Sequence, residues 1–366
     1  MREMSALDLK FVVPELKKLE GAFIQKIYQD GKAIRLEVYI SNKGSFEIYF
    51  DPGKIFITQY KRKAPESPEA FCMKLRKTLK GQKIKEISQV GFERIIEIHT
   101  DNNILILEMF SKGNAILCDG LYNIIVPLEV QLWRDRQVVP KKKYSFPPMV
   151  RNPFEIDMNE LKVLLKNPKQ LVRFLATDMS FSGLYAEEIC LRTQIDKETV
   201  CETLGANDVM VIYEAMHSLK KTFNPKVIWD DDNKIDAVPF EMQVYGDKKQ
   251  EAAETFVSAL DELYMQREAA EFKEEVEKVK SDQVSKVEKL INKQKNKVDE
   301  LRKISIESRE KAELIYNNYD FIQKVVDDLQ NALESGKTWE EIKEKAKQID
   351  KIVEIREEDG VIVLDL

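Results

Sequence analysis

Between Asp247 and Ser335 the chain contains neither glycine nor proline, and EAAEFKEEVEKVKSDQVSKVEKLINKQKNKVDELRK within that stretch is saturated with Glu and Lys. Nothing in it stops a helix, so one long helix is expected from about Glu251 to Lys311. At 1.5 Å per residue its roughly 60 residues make an arm of about 90 Å. Val284, Val287, Ile291, Gln294, Val298 and Leu301 follow a 3,4 spacing, the a and d seam of a coiled coil. Gln294 at a d position and Ser305 at the next a position weaken that seam. A seam this narrow needs a partner helix. The returning half of the arm is expected in sequence beyond this chain, and in its absence a weak homodimer through the same seam is the expected association.

The flanking regions are patterned differently. AFIQKIYQ, AIRLEVYI, SFEIYF and KIFITQY alternate apolar and polar residues, separated by turn signals at Asp30-Gly31, Ser41 to Gly44 and Asp51-Pro52-Gly53. A helix begins at Ser67-Pro68-Glu69 and runs to Gly81, after which strands resume in IKEISQVG, ERIIEIHT, NILILEMF, NAILCDG and NIIVPLE. Ser5-x-x-Asp8 is a capping-box variant for a short first helix, and Pro14 suits the first turn of a second one that Gly21 can stop. Residues 1–150 therefore read as an α+β domain built on antiparallel hairpins. Residues 151–245 read as helical, with Pro168 at a helix start and Ser182-Gly183 breaking the run before the next helix. The coiled-coil arm occupies 246–312. A small domain of helices and strands follows over 313–366, with a capping box at Thr338-Trp339-Glu340-Glu341.

Composition narrows the function classes. The net charge of −6 hides an asymmetry: residues 1–150 hold 25 basic and 18 acidic side chains, a balance of +7, which leaves −13 for the rest. The basic residues cluster in Lys61-Arg62-Lys63, in KLRKTLKGQKIK and in Lys141-Lys142-Lys143. Two readings stay open at this point, an anionic partner or a solvated face. Cys72, Cys118, Cys190 and Cys201 form no CxxC pair and the histidines number only two, so buried reduced thiols are expected and neither a metal site nor a cofactor. There is no Gly-rich phosphate loop, no GxSxG and no HExxH, and no catalytic role is expected. No apolar run approaches membrane-spanning length and MREMSALDLKF lacks the layout of a secretory signal, which points to the cytoplasm.

The segments MSALDL, FCMKLRKTLKG, ERIIEI, LILEMFSKGNAIL, KKKYSFPP, LYAEEIC, KAELIYNNYDFI and TWEEI, in this order, resemble the NFACT family, the RqcH- and NEMF-type proteins of ribosome quality control. The resemblance covers essentially the whole chain. It implies an N-terminal domain similar in fold to formamidopyrimidine-DNA glycosylases, a helix, two-turn, helix module, a coiled-coil arm with a small middle domain, and a C-terminal RNA-binding domain that this chain does not reach. A fragment or a shortened member is therefore expected. The implied partners are tRNA, peptidyl-tRNA and the rRNA and proteins of the large ribosomal subunit, and the implied activity is recruitment of tRNA for mRNA-free tailing of the nascent chain, with alanine in the bacterial members.

The family's tRNA-binding motif is an Asp-Arg pair followed by Ile, and Glu93-Arg94-Ile95 matches it with Glu in place of Asp. On the residues alone an exposed ion pair is the ordinary reading. The resemblance makes Glu93 and Arg94 tRNA contacts and adds Glu108 of LILEMF. Neighbouring residues on a strand face opposite ways, so the pair can serve one ligand only from a twisted or bulged strand end. Backbone contacts to RNA are expected from Arg76, Lys77, Lys80, Lys112 and Arg173. Two other classes are a repair enzyme on the glycosylase scaffold, which needs an N-terminal proline amine where this chain has Arg2, and a coiled-coil scaffold protein.

Overall fold

The computed structural model describes residues 2–60, 62, 64–134, 136–358 and 360–366, without the side chains at 267, 269–277 and 279–283. Packing divides the chain into two compact units, Met1–Phe272 and Lys273–Leu366.

In the first unit Ser5 and Asp8 form the expected capping box of α1 (Ala6–Leu16). Pro14 does not start a second helix; it lies inside α1. The buried run Leu9, Val12, Val13 and Leu16 holds the helix on the core for less than one turn beyond Pro14, which limits the cost of the missing N–H. A 3-10 turn, Lys17–Leu19, and Gly21 at φ +93° end the segment. Strands β1 (Phe23–Asp30), β2 (Ala33–Ile40), β3 (Gly44–Asp51) and β4 (Lys54–Thr58) form an antiparallel meander in sequence order. Helix α2 (Ala70–Leu79) buries Phe71, Cys72, Leu75 and Leu79, the i, i+1, i+4, i+8 face of its sequence.

A second meander contains β5 (Ile84–Gln89), β6 (Ile95–Thr100), β7 (Asn103–Glu108), β8 (Asn114–Asp119) and β9 (Ile124–Pro127). All six residues of β7 are buried because both faces of this sheet are covered. Leu105 and Leu107 point into the main core, while Ile104 and Ile106 join Ile95, Ile116, Val138 and Tyr144 in a smaller one. The cover on that outer face includes a short hairpin, β10 (Gln131–Leu132) and β11 (Gln137–Val138), and the segment after it.

The two meanders touch at their turns. Gly113 has φ +67°, and a Cβ there would sit 2.3 Å from Pro52 Cβ and 2.8 Å from its Cα. Gly113→Ala is therefore expected to destabilise the unit by about 2–4 kcal/mol, combining left-handed strain with a clash against backbone. Urea unfolding measures this, and a change below about 0.5 kcal/mol would mean the turns separate freely.

Residues 151–245 are not only helical. After α3 (Met158–Leu164), α4 (Leu171–Arg173), a π-type turn (Phe174–Asp178), α5 (Ser182–Thr193) and α6 (Ala206–Lys221) come β12 (Lys226–Asp230) and β13 (Asn233–Val238), which with β14 (Lys249–Ala252) form an antiparallel sheet in the order β13-β12-β14. Nor does packing divide the chain at residue 150. Phe92 meets Phe154 and Phe181 edge-on, with centroids 5.4 and 5.8 Å apart, and Phe11 meets Phe240 at 5.8 Å, so both regions share one core. The four cysteines are buried free thiols.

Helix α7 (Phe256–Asn317) is continuous over 62 residues. It starts later than expected because Lys249–Ala252 pairs with β12. Its first turns bury Phe256, Leu260, Leu263 and Tyr264, and Glu15 caps it by accepting from the Phe256 and Val257 amides. Arg62 forks onto Glu268 at 2.8 and 2.9 Å. In the second unit every side chain of α7 from Val284 to Asn317 is exposed, the seam residues included. There α8 (Tyr319–Glu334), α9 (Trp339–Ala346), capped by the expected Thr338–Glu341 box, and a hairpin of β15 (Ile352–Arg356) and β16 (Val361–Leu364) complete the fold. Among the described residues no helix is long and apolar enough to cross a membrane.

Candidate functional site

Glu93 and Arg94 lie in the bend between β5 and β6, ahead of the first residue of β6, with only the Arg94 carbonyl joined to the next strand through the Met109 amide, so the regular alternation of a strand does not separate them. Gly91 at φ +54° makes the turn, where a Cβ would meet the Met149 side chain at 2.8 Å. Phe92 then anchors the loop in the Phe154–Phe181 cluster. The two charged residues border a cleft of about 320 Å³ whose other walls include Glu3, Ser5, Phe110 and Ser182. Arg94 Nη1 pairs with Glu3 Oε2 at 2.6 Å, and Glu93 Oε1 accepts from the Val150 amide at 2.5 Å. Burial pushes the Glu93 carboxyl up, and the Val150 amide and Arg94 offset only part of that.

Two helices begin at this cleft, α1 after its cap Ser5 and α5 at Ser182, and no side chain caps α5. Helix N-termini and a guanidinium favour an anion. Carboxylates at the same rim accept hydrogen bonds from hydroxyls and base edges. Ser180 and Ser182, both lining the cleft, hold φ of +57° and +66°, backbone strain concentrated where the segments meet.

A buried network fixes the N-terminal wall. Arg2 reaches Asp8 at 2.5 Å and Asp236 at 2.8 Å, Tyr185 Oη donates to Asp8 at 2.5 Å, and the Ser5 amide donates to Asp8 at 2.7 Å. Tyr245 Oη donates to Asp236 at 2.8 Å. Sequence reading noted Arg2 only as the residue where a glycosylase needs proline. Its partners lie up to 235 positions away, and no local pattern announces them.

Glu108 requires correction as an RNA contact. It is 1% exposed, its carboxylate pairs with Arg136 and it accepts from Tyr144 Oη at 2.7 Å. The unbroken apolar run ILIL before it was the signal that both faces of β7 are covered. Lys77 on α2 and Lys80 just past its end are exposed, whereas Arg76 is half-buried and donates to the Ile27 carbonyl at 2.7 Å. Lys112, in the β7–β8 turn, and Arg173, at the end of α4, are exposed. Among the described residues these five do not line the cleft. Of the first basic cluster Lys61 and Lys63 lie outside the described residues, and Arg62 is the anchor of α7. His99 contacts Glu97 at 3.1 Å, and His217 packs between Tyr213 and Phe154.

Residues 5–358 match the family described as NFACT N-terminal and middle domains. The archaeal Rqc2 homolog aRqcH of Methanocaldococcus jannaschii is 31% identical over 93% of this chain and 54% of its own length. The ribosome quality control complex subunit NEMF homolog of Drosophila melanogaster is 22% identical over 94% of this chain and 41% of its own. The chain thus spans about half the length of these curated relatives. Among solved structures the fibrinogen binding protein from Staphylococcus aureus superposes with a TM-score of 0.59 at 22% identity, over 71% of this chain and 98% of that one, a likeness of fold.

Proposed function

The chain belongs to the NFACT family, and from that premise we propose that it serves ribosome-associated quality control, binding large ribosomal subunits that carry peptidyl-tRNA and recruiting tRNA for mRNA-free tailing of the nascent chain. Alanyl-tRNA is the proposed donor. Peptide-bond formation belongs to the ribosome, and this chain acts without catalysis, in the cytoplasm. The observation that supports the reading best is the cleft that holds Arg94 and Glu93 beside two helix N-termini. Arg94 serves as a fork onto phosphate, and Glu93 and Glu3 as acceptors for 2′-hydroxyls or base edges. The test is gradient cosedimentation with large subunits, followed by sequencing of the RNA that copurifies. Enrichment of tRNA and large-subunit rRNA supports the proposal; a protein that stays at the top of the gradient and carries no tRNA overturns it.

The basic head supplies affinity and little selectivity in this reading. Lys77→Gln with Lys80→Gln is expected to weaken RNA binding whatever its sequence and to flatten the plot of log K against log salt by about 1–2 units, near 0.7–0.9 per phosphate lost. An unaltered slope would remove this face from the interface. Arg76 is left intact because its bond to Ile27 makes it structural as well.

The exposed seam of α7 is proposed to pair with a second helix. Each apolar side chain that it covers contributes about 1.5–3 kcal/mol at full burial, and Gln294 and Ser305 interrupt the row. Reversible, concentration-dependent dimerisation of this chain is expected, and Val287→Glu with Ile291→Glu should abolish it. Sedimentation equilibrium decides: a parent that stays monomeric at high concentration, or a dimer indifferent to both charges, places the contact elsewhere.

A further inference from the structure

Behind Phe110, on the outer face of the second meander, a guanidinium is boxed in by rings. Arg136 Nε donates to the Ser145 carbonyl at 2.7 Å and its fork meets Glu108. Its Cζ lies 4.9 Å from the Tyr144 ring centre, 5.4 Å from that of Trp133 and 5.9 Å from that of Phe110. Arg136 and Tyr144 are buried, but Trp133 is 40% exposed. Trp133 closes the tip of the β10–β11 hairpin, its amide donating to the Arg136 carbonyl at 2.8 Å, so its backbone is fixed.

Burying a guanidinium and a carboxylate together costs desolvation, and a well-packed apolar pair would stabilise the hairpin as well or better. What the ion pair adds is fixed geometry: a flat cation held at one face of an indole whose surface stays partly open. Phe110 joins this assembly to the Arg94 cleft, since it also lines that cleft, and the Met109 amide beside it donates to the Arg94 carbonyl at 2.8 Å. Arg134 and Lys141 to Lys143 are exposed on the same hairpin and on the chain that follows it. An exposed ring backed by a cation, with basic residues on its own hairpin and the segment after it and joined through Phe110 to the Arg94 cleft, is the chemistry that receives an unpaired base.

We propose that Trp133, seated on Arg136, is a stacking platform for one unpaired nucleobase of the RNA whose backbone enters the Arg94 cleft. Phe110 is the shared wall, and Glu108 is a positioning residue that holds Arg136 without touching the ligand. The proposal rests on the RNA-binding reading of the cleft and adds the ligand class, a single-stranded loop in preference to a continuous duplex.

The experiment uses the full chain with Trp229→Phe and Trp339→Phe, which leaves Trp133 as the single tryptophan, titrated with unfractionated tRNA and with a fully paired RNA duplex of similar length. Stacking should quench the Trp133 emission along the tRNA binding curve and leave it unchanged with duplex. In the parent chain Trp133→Ala should weaken tRNA binding about tenfold, Trp133→Phe distinctly less, and neither should alter duplex binding. A melting curve for each variant confirms folding. Tight tRNA binding with unchanged Trp133 emission, or Trp133→Ala at parental affinity, overturns the platform and leaves the function standing. A parent that binds no tRNA overturns the function and the platform with it.

Discussion

Arg94→Ala is expected to weaken tRNA binding about 10- to 100-fold, because a hydrogen bond between two charged groups contributes about 1.5–3 kcal/mol and each 1.4 kcal/mol is a factor of ten. The fold should hardly notice. The partner of Arg94 within the protein is Glu3, whose side chain is more than half exposed, and an ion pair of that kind contributes about 0–1 kcal/mol. Arg94→Lys should fall between parent and Ala, since a lysine keeps the charge and loses the fork. Glu93→Ala combined with Arg94→Ala should bind more weakly still, with about 1 kcal/mol of lost stability from the Val150 amide that Glu93 now satisfies. Affinity and melting temperature must be read together: unchanged affinity, or collapse of the domain, refutes the assignment.

Asp8→Ala should produce the largest loss of stability, about 3–5 kcal/mol, because it leaves the Arg2 guanidinium without its closest counter-ion and Tyr185 Oη without an acceptor, in a site where Asp8 is fully buried. The pH dependence separates this cause from simple loss of packing. Burial alone would raise the Asp8 carboxyl, but Arg2 and the hydrogen bonds from Arg2, Tyr185 and Ser5 hold it below the usual carboxylate range. A depressed folded-state value means the contribution is fully present above the unfolded value of about 3.9 and is lost as pH falls through the folded one. The gap in unfolding free energy between parent and Asp8→Ala should therefore narrow on acidification below about pH 4. A gap below 1 kcal/mol at neutral pH, or one independent of pH, would show that Asp236 alone holds Arg2.

Much of the architecture was legible because its causes are local. The first meander follows from alternation punctuated by Asp-Gly, Asn-bearing and Asp-Pro-Gly turns, the second from short apolar runs between turns, and the caps of α1 and α9 follow from Ser5-Asp8 and Thr338-Glu341. The sheet of β12 to β14 was hidden because KVIWD and NKIDAV are short strands around Asp231-Asp232 in a region dominated by helices. The common core was hidden because Phe92, Phe154 and Phe181 meet only in three dimensions. At the candidate site, the resemblance singled out Glu93 and Arg94, and the structure sets both in a bend, where the difficulty over opposite strand faces does not arise. Glu3, Ser182 and Phe110 could not be found the same way, since nothing in sequence brings an N-terminal segment, a helix start and a hairpin turn together.

The bare half of α7 separates two properties that usually travel together. Amides there are hydrogen-bonded as regularly as those of β7, yet opening a turn between Val284 and Asn317 uncovers no buried apolar surface, whereas opening β7 uncovers both cores. Solvent deuterium should therefore enter the longest element of the protein early, by local fraying, and reach β7 only through global unfolding. Covering the seam, by a second chain or any other helix, would convert the same backbone from an early-exchanging region to a protected one, so protection across 284–317 reports occupancy of the arm directly.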